Sequence, residues 1–173
     1  ITAPTNQWIF TISATKAPEI NLLNGATTIA VGGTDNPTEF LNIDAGSISS
    51  AVTYTIENNG SCDLDLDGSP NLITLSNSAD FSIDFSATDS TISAGSSTTF
   101  TVTFNPTVGG APFTTVNIPN TDVDEDPYIF TINGTSIAPL TEGPGGVVSD
   151  LKLWLKANEG ITVNGSSGVT TWS

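Results

Sequence analysis

Asp63, Asp65, Asp67 and Gly68 stand in the spacing D-x-D-x-D-G, the first half of a calcium loop. Carboxylates spaced this way supply the hard oxygen ligands that calcium takes. The twelfth position from Asp63 is Thr74, where such a loop needs a bidentate Glu. Leu64 and Leu66 between the acids equally fit a strand that sends its acids to solvent and its leucines inward. A second group is denser. Asp122, Asp124, Glu125 and Asp126 place four carboxylates within five residues, between two strand-like segments. A turn lets side chains converge that a strand would keep apart, so this group is the calcium candidate. Affinity would be on the order of millimolar, the class of extracellular modules. The same residues also read as a solvated acidic turn. No other cofactor is implied.

Other chemistry has little to stand on. His is absent, so there is no Ser-His pair and no imidazole base. A glycosidase needs two facing carboxyls, and the acids here fall on turns or outward strand faces. The chain therefore reads as no enzyme. Cys62 is the single cysteine, which rules out an internal disulfide and leaves too few ligands for zinc; it reads as a buried or half-buried small hydrophobe. Trp8, Trp154 and Trp172 have faces on which a sugar can stack, but each fits a core position near a domain end. Eighteen acids against three lysines give a net charge of -15. Such a chain is repelled by phosphate backbones, which argues against nucleic acid as a partner. No apolar run approaches the ~18 residues of a membrane-spanning helix.

The elements that would position these groups are strands. "AVTYTIENNGS" alternates, with Val52, Tyr54 and Ile56 on one face. "SAGSSTTFTVTFNPT" sets Phe100, Val102 and Phe104 against Thr99, Thr101 and Thr103. "PFTTVNIPN" carries Val116 and Ile118, and "YIFTINGT" carries Tyr128, Phe130 and Ile132. "NLITLS" and "DFSIDFS" add Ile73, Phe81, Ile83 and Phe85. Turn signals recur every 8–12 residues, and no segment within this unit keeps a helical period. Seven to nine short strands so spaced predict an all-β, two-sheet antiparallel β-sandwich.

The chain also repeats itself. "QWIFTISATKAP" (7–18) and "PYIFTINGTSIAP" (127–139) share an aromatic, Ile-Phe-Thr-Ile, a small pair, Thr, and an exit through Ala-Pro. Ile9 and Ile129 lie 129 − 9 = 120 positions apart, about one domain length. Residues 1–16 therefore read as the last strand of a preceding repeat and 17–138 as one complete repeat, with Pro18 at the junction. The Pro- and Gly-rich stretch 139–147 reads as a linker. Residues 148–173 read as the opening of a different domain.

The unit over 17–138 resembles the Hydin/ASH-type bacterial immunoglobulin-like repeats. The resemblance rests on "PEINLL", "VTYTIENNGSCDLDL", "ADFSID", "ISAGSSTTFTVTFNPTVGG" and "NTDVDEDPYIFTINGT" in that order. The tail "SDLKLWLKANEGITVNGSSGVTTWS" is similar to the first strands of concanavalin/laminin-G-like jelly rolls. Together they imply a large Bacteroidetes-type surface protein, exported by the type IX route, that acts as an adhesin or gliding-motility filament. The expected location is then extracellular, at the cell surface. The expected partners are neighbouring domains of the same chain, the secretion machinery and surface glycans. "DST" at 89–91 resembles the O-glycosylation acceptor of such organisms, with Ser90 as acceptor. The expected role is a stalk or spacer module. A glycan- or protein-binding module and an accessory domain of a carbohydrate-active enzyme are the alternatives.

Overall fold

The computed structural model describes residues 16–139 together with the strand residues 161–163 and 169–172. The chain divides between Pro139 and Leu140 into two compact units. The expectations for 1–15, for most of the linker and for Trp8 and Trp154 lie outside the described residues. In the second unit, Ile161–Val163 and Val169–Trp172 pair as an antiparallel ribbon.

The first unit is the sandwich that the alternation predicts. Its strands are β1 (Ile20–Asn24), β2 (Thr27–Thr28), β3 (Thr34–Asp35), β4 (Ile43–Asp44), β5 (Val52–Asn58), β6 (Leu64–Asp65) and β7 (Thr74–Leu75). β8 (Phe81–Asp84), β9 (Thr91–Ile92), β10 (Ser97–Phe104), β11 (Phe113–Ile118), β12 (Tyr128–Asn133) and β13 (Ser136–Ile137) follow. One sheet runs β2-β1-β5-β10-β8 and the other β3-β12-β11-β7. The long strands pair antiparallel, but two short pairs, β3 with β12 and β4 with β13, are parallel. Two-residue strands are too short for an alternation to reveal, so these pairings had no signal in the sequence.

All eight side chains expected inside from β5, β10 and β12 are buried: Val52, Tyr54, Ile56, Phe100, Val102, Phe104, Phe130 and Ile132. The registers explain how they meet. Tyr54 lies opposite Phe100, and the two rings stack at 5.3 Å. Phe130 reaches Tyr54 from the other sheet at 5.4 Å. Phe40, in a one-turn 3-10 helix at Thr38–Phe40, is fully buried against Phe104 and Phe81. The Tyr54 hydroxyl is the one polar group in this aromatic layer, and it donates to Asp35 Oδ2 at 2.8 Å. That bond ties β5 of one sheet to β3 of the other.

Gly134 closes the layer. A Cβ there would sit 2.7–2.9 Å from the Phe104 ring, well inside normal carbon contact. Only a residue without a side chain lets the backbone cross the ring edge here.

The strand directions give the sandwich two distinct ends. β1 starts where β5 finishes, with Ile20 opposite Asn58, and β10 starts beside Glu57. The β11–β12 loop joins this end, because Asp122 Oδ2 accepts the Ile20 N–H at 2.9 Å. β10 finishes at the opposite end, where Phe104 lies under Gly134, just past the finish of β12. The chain thus enters the sandwich at one end through Pro18 and leaves at the other through β13 and Pro139.

Candidate functional site

Two buried asparagines build the entrance end. Asn58 closes β5; its Nδ2 donates to the carbonyls of Cys62 and Ile92, and its Oδ1 accepts from the N–H groups of Gly60 and Glu19. Asn120 does the same for the β11–β12 loop. Its Nδ2 donates to Ile118 and Glu125 carbonyls, and its Oδ1 accepts the Asp122 N–H. Each amide replaces ladder partners that a turn takes away, so the loops are fixed although they carry no strand.

On this frame the four acids of the β11–β12 loop separate. Asp122 is 2% exposed and spends Oδ2 on the start of β1. Asp126 is exposed and accepts the Asn120 N–H. Asp124 is exposed at the tip beside Val123, which is 94% exposed. Glu125 turns inward, and its Oε2 is buried with no hydrogen-bond partner. The carboxylates that do converge are Asp122, Glu125 and Glu19, with oxygens within 4.8 Å of one another. Glu19 lies more than a hundred residues from the other two, so no local spacing could have found it.

Electrostatics follow from this placement. Burial pushes the Glu125 carboxyl above its usual range, and Asp122, Glu19 and Asp124 push it the same way. Three side-chain carboxylates offer part of the oxygen shell of a calcium ion, which takes six to eight ligands.

The other acidic motif keeps its strand character. Leu64 and Leu66 are buried while Asp63, Asp65 and Asp67 are exposed. Asp65 accepts the Thr91 hydroxyl at 2.6 Å across the β6–β9 pair. Ser90 is exposed on the segment leading into β9, and its carbonyl accepts the Leu66 N–H. Cys62 is half-buried and unpaired. An open cleft of about 370 Å³ lies where β7 and β8 edge the two sheets, lined by Ile73, Leu75, Phe81, Ile83 and Phe85. No ionisable side chain lines it.

No family model matches the chain, and no curated protein matches it. Among solved structures, a protein of unknown function from Porphyromonas gingivalis W83 superposes with a TM-score of 0.53 at 16% identity. The match covers 72% of this chain and 49% of that protein, so the chain corresponds to about half of its length. The ASH/PapD-like domain 7 of human CEP192 is similar at a TM-score of 0.45 and 15% identity, over 79% of this chain and 98% of that domain. At these identities the likeness concerns the fold alone, an all-β sandwich.

Proposed function

We propose that the sandwich is a spacer module in a large secreted surface protein, an adhesin or motility filament of the Bacteroidetes type. The observation that carries this reading is that the chain enters and leaves at opposite ends of the sandwich. A module threaded this way adds its own length to whatever it connects. The near-copy of the β12 ending at 7–18 supports a tandem arrangement of such modules. The strongly acidic surface, with a net charge of -15, suits a protein that must stay dispersed outside the cell. In this role the sandwich does no chemistry of its own; the ligand of the surface protein is met elsewhere in it.

The test is an exchange in the parent protein on its own cells. Residues 20–137 are replaced by an unrelated sandwich whose chain ends also lie at opposite ends. Protease shaving of intact cells first establishes that the exchanged protein reaches the surface. Adhesion or motility is then expected to survive the exchange and to weaken when the module is deleted outright. Loss of adhesion in the exchanged protein, at normal surface level, would show that the sandwich itself holds a ligand.

A further inference from the structure

The repeat and the hydrogen bonds at the entrance end together fix how far apart two such modules can be. In this sandwich Thr135 is the last residue at which the two copies of the ending match, and it is tied down on all sides. Its N–H donates to Phe40, its carbonyl accepts from Ile43, and its Oγ1 accepts from the Asn42 N–H. Its counterpart in the first copy of that ending is Thr15. On the other side of the junction Ala17 already belongs to this sandwich, because its carbonyl accepts the Ser61 N–H at 2.9 Å. Gly60 is pressed against the same peptide, with no room there for a Cβ. A single residue, Lys16, separates the two anchors.

From this we infer that the entrance end of the sandwich is a docking surface for the exit end of a preceding sandwich of the same fold. The inference rests on reading 1–16 as the ending of that preceding module. Two Cα steps span about 7 Å at most, less than the ~10 Å between packed sheets. With so short a tether, the two modules stand in contact. The chemistry of the two ends fits a partly apolar joint. Around Thr135 this sandwich exposes Leu41 at 43%, Val108 at 68% and Ile137 at 47%. Val108 stands at that end beside β13, since Ser136 Oγ donates to the Val108 carbonyl. The entrance end presents Val123 at the tip of the β11–β12 loop, the most exposed of the large apolar side chains. The equivalents of Leu41 and Val108 in the preceding module would cover Val123; the position equivalent to Ile137 is Ala17, which already belongs to this sandwich. Tandem modules then form a stiff rod rather than beads on a flexible string.

The experiment uses a chain in which residues 1–15 are replaced by a duplicate of residues 16–135, so that Thr135 of the first copy runs directly into Lys16. Amide spectra count the folded sandwiches, and ¹⁵N relaxation with residual dipolar couplings measures whether they tumble together. The expected result is two folded sandwiches sharing one alignment tensor and one anisotropic tumbling time. Insertion of Gly-Ser-Gly-Ser before Lys16 is expected to release them into separate motion, and Val123→Asp to loosen them without unfolding either. Two folded sandwiches that tumble independently without the insertion would overturn the contact while leaving the repeat intact. A duplicate that folds only when the insertion is present would overturn the register of the repeat, and the docking proposal with it. Unchanged tumbling in the Val123→Asp chain would overturn the apolar contact.

Discussion

Gly134→Ala should damage the core through one contact. The new methyl would stand 2.7 Å from Phe104 Cζ and 2.9 Å from the two ε carbons. Carbon atoms normally settle at about 3.5–4.0 Å, so the shortfall is about 0.6 Å or more for three atoms at once. The ring cannot step aside. Phe81 lies against it at 4.8 Å and Phe40 at 5.9 Å, and all three are fully buried. Overpacking of this kind costs about 1–3 kcal/mol. The loss of glycine freedom in the unfolded chain returns about 0.4–1 kcal/mol, which leaves a net loss of about 1–2 kcal/mol. Urea denaturation reads it as a lower midpoint at unchanged slope. Phe104→Leu removes the colliding atoms at a cost of its own, smaller than the about 3–5 kcal/mol of Phe→Ala. In that background Gly134→Ala should be nearly neutral, a coupling of about 1 kcal/mol or more. Strict additivity of the two substitutions would refute the account, because the clash would then not be with Phe104.

Tyr54→Phe removes the hydroxyl that bonds Asp35 and should cost about 1–2 kcal/mol, read from the denaturation midpoint; an unchanged midpoint would mean the two sheets gain nothing from that bond. Glu125 holds its proton more tightly folded than unfolded, from burial first and then from Asp122, Glu19 and Asp124. A raised carboxyl favours the fold at low pH and loses that contribution as pH rises through its folded value. Melting temperature should therefore fall as pH climbs from the ordinary glutamate range towards neutral, and Glu125→Gln should flatten this slope; equal slopes would refute it. Calcium, magnesium and sodium at matched ionic strength should raise the melting temperature alike, as screening does. Asp122 has already committed an oxygen to Ile20, and among the described residues three carboxylates converge there. A rise specific to calcium that Glu125→Gln abolishes would establish a cation site instead.

The long strands were legible because burial there follows a period of two, and β5, β10 and β12 put their alternate residues where that period says. Phe40 was not, since it sits in a single turn of 3-10 helix with no neighbour to set a period. The parallel pairs were hidden in strands of two residues. The acidic loop shows the sharper limit. Its four acids are visible as a run, yet whether they converge depends on Asn120 and on the start of β1, far away in sequence. Glu19 was missed for the same reason, and Asn58 and Asn120 read as ordinary turn residues although both are buried. A buried amide that stands in for lost ladder partners leaves no trace in composition.

The glycine beneath Phe104 also bears on how tandem repeats of the kind proposed above would avoid being mistaken for one another during folding. Adjacent modules with near-identical strands are prone to exchange them, and misassembly is the characteristic failure of tandem chains. The ending at 7–16 matches β12 through Ile-Phe-Thr-Ile but carries Ala14 where this sandwich carries Gly134. Laid into the place of β12, that strand would bring a methyl group against the Phe104 ring, with the same collision that Gly134→Ala creates. The correct strand meets no such obstacle. In a tandem array one carbon atom would thus serve as an address label, making the wrong insertion less stable than the right one.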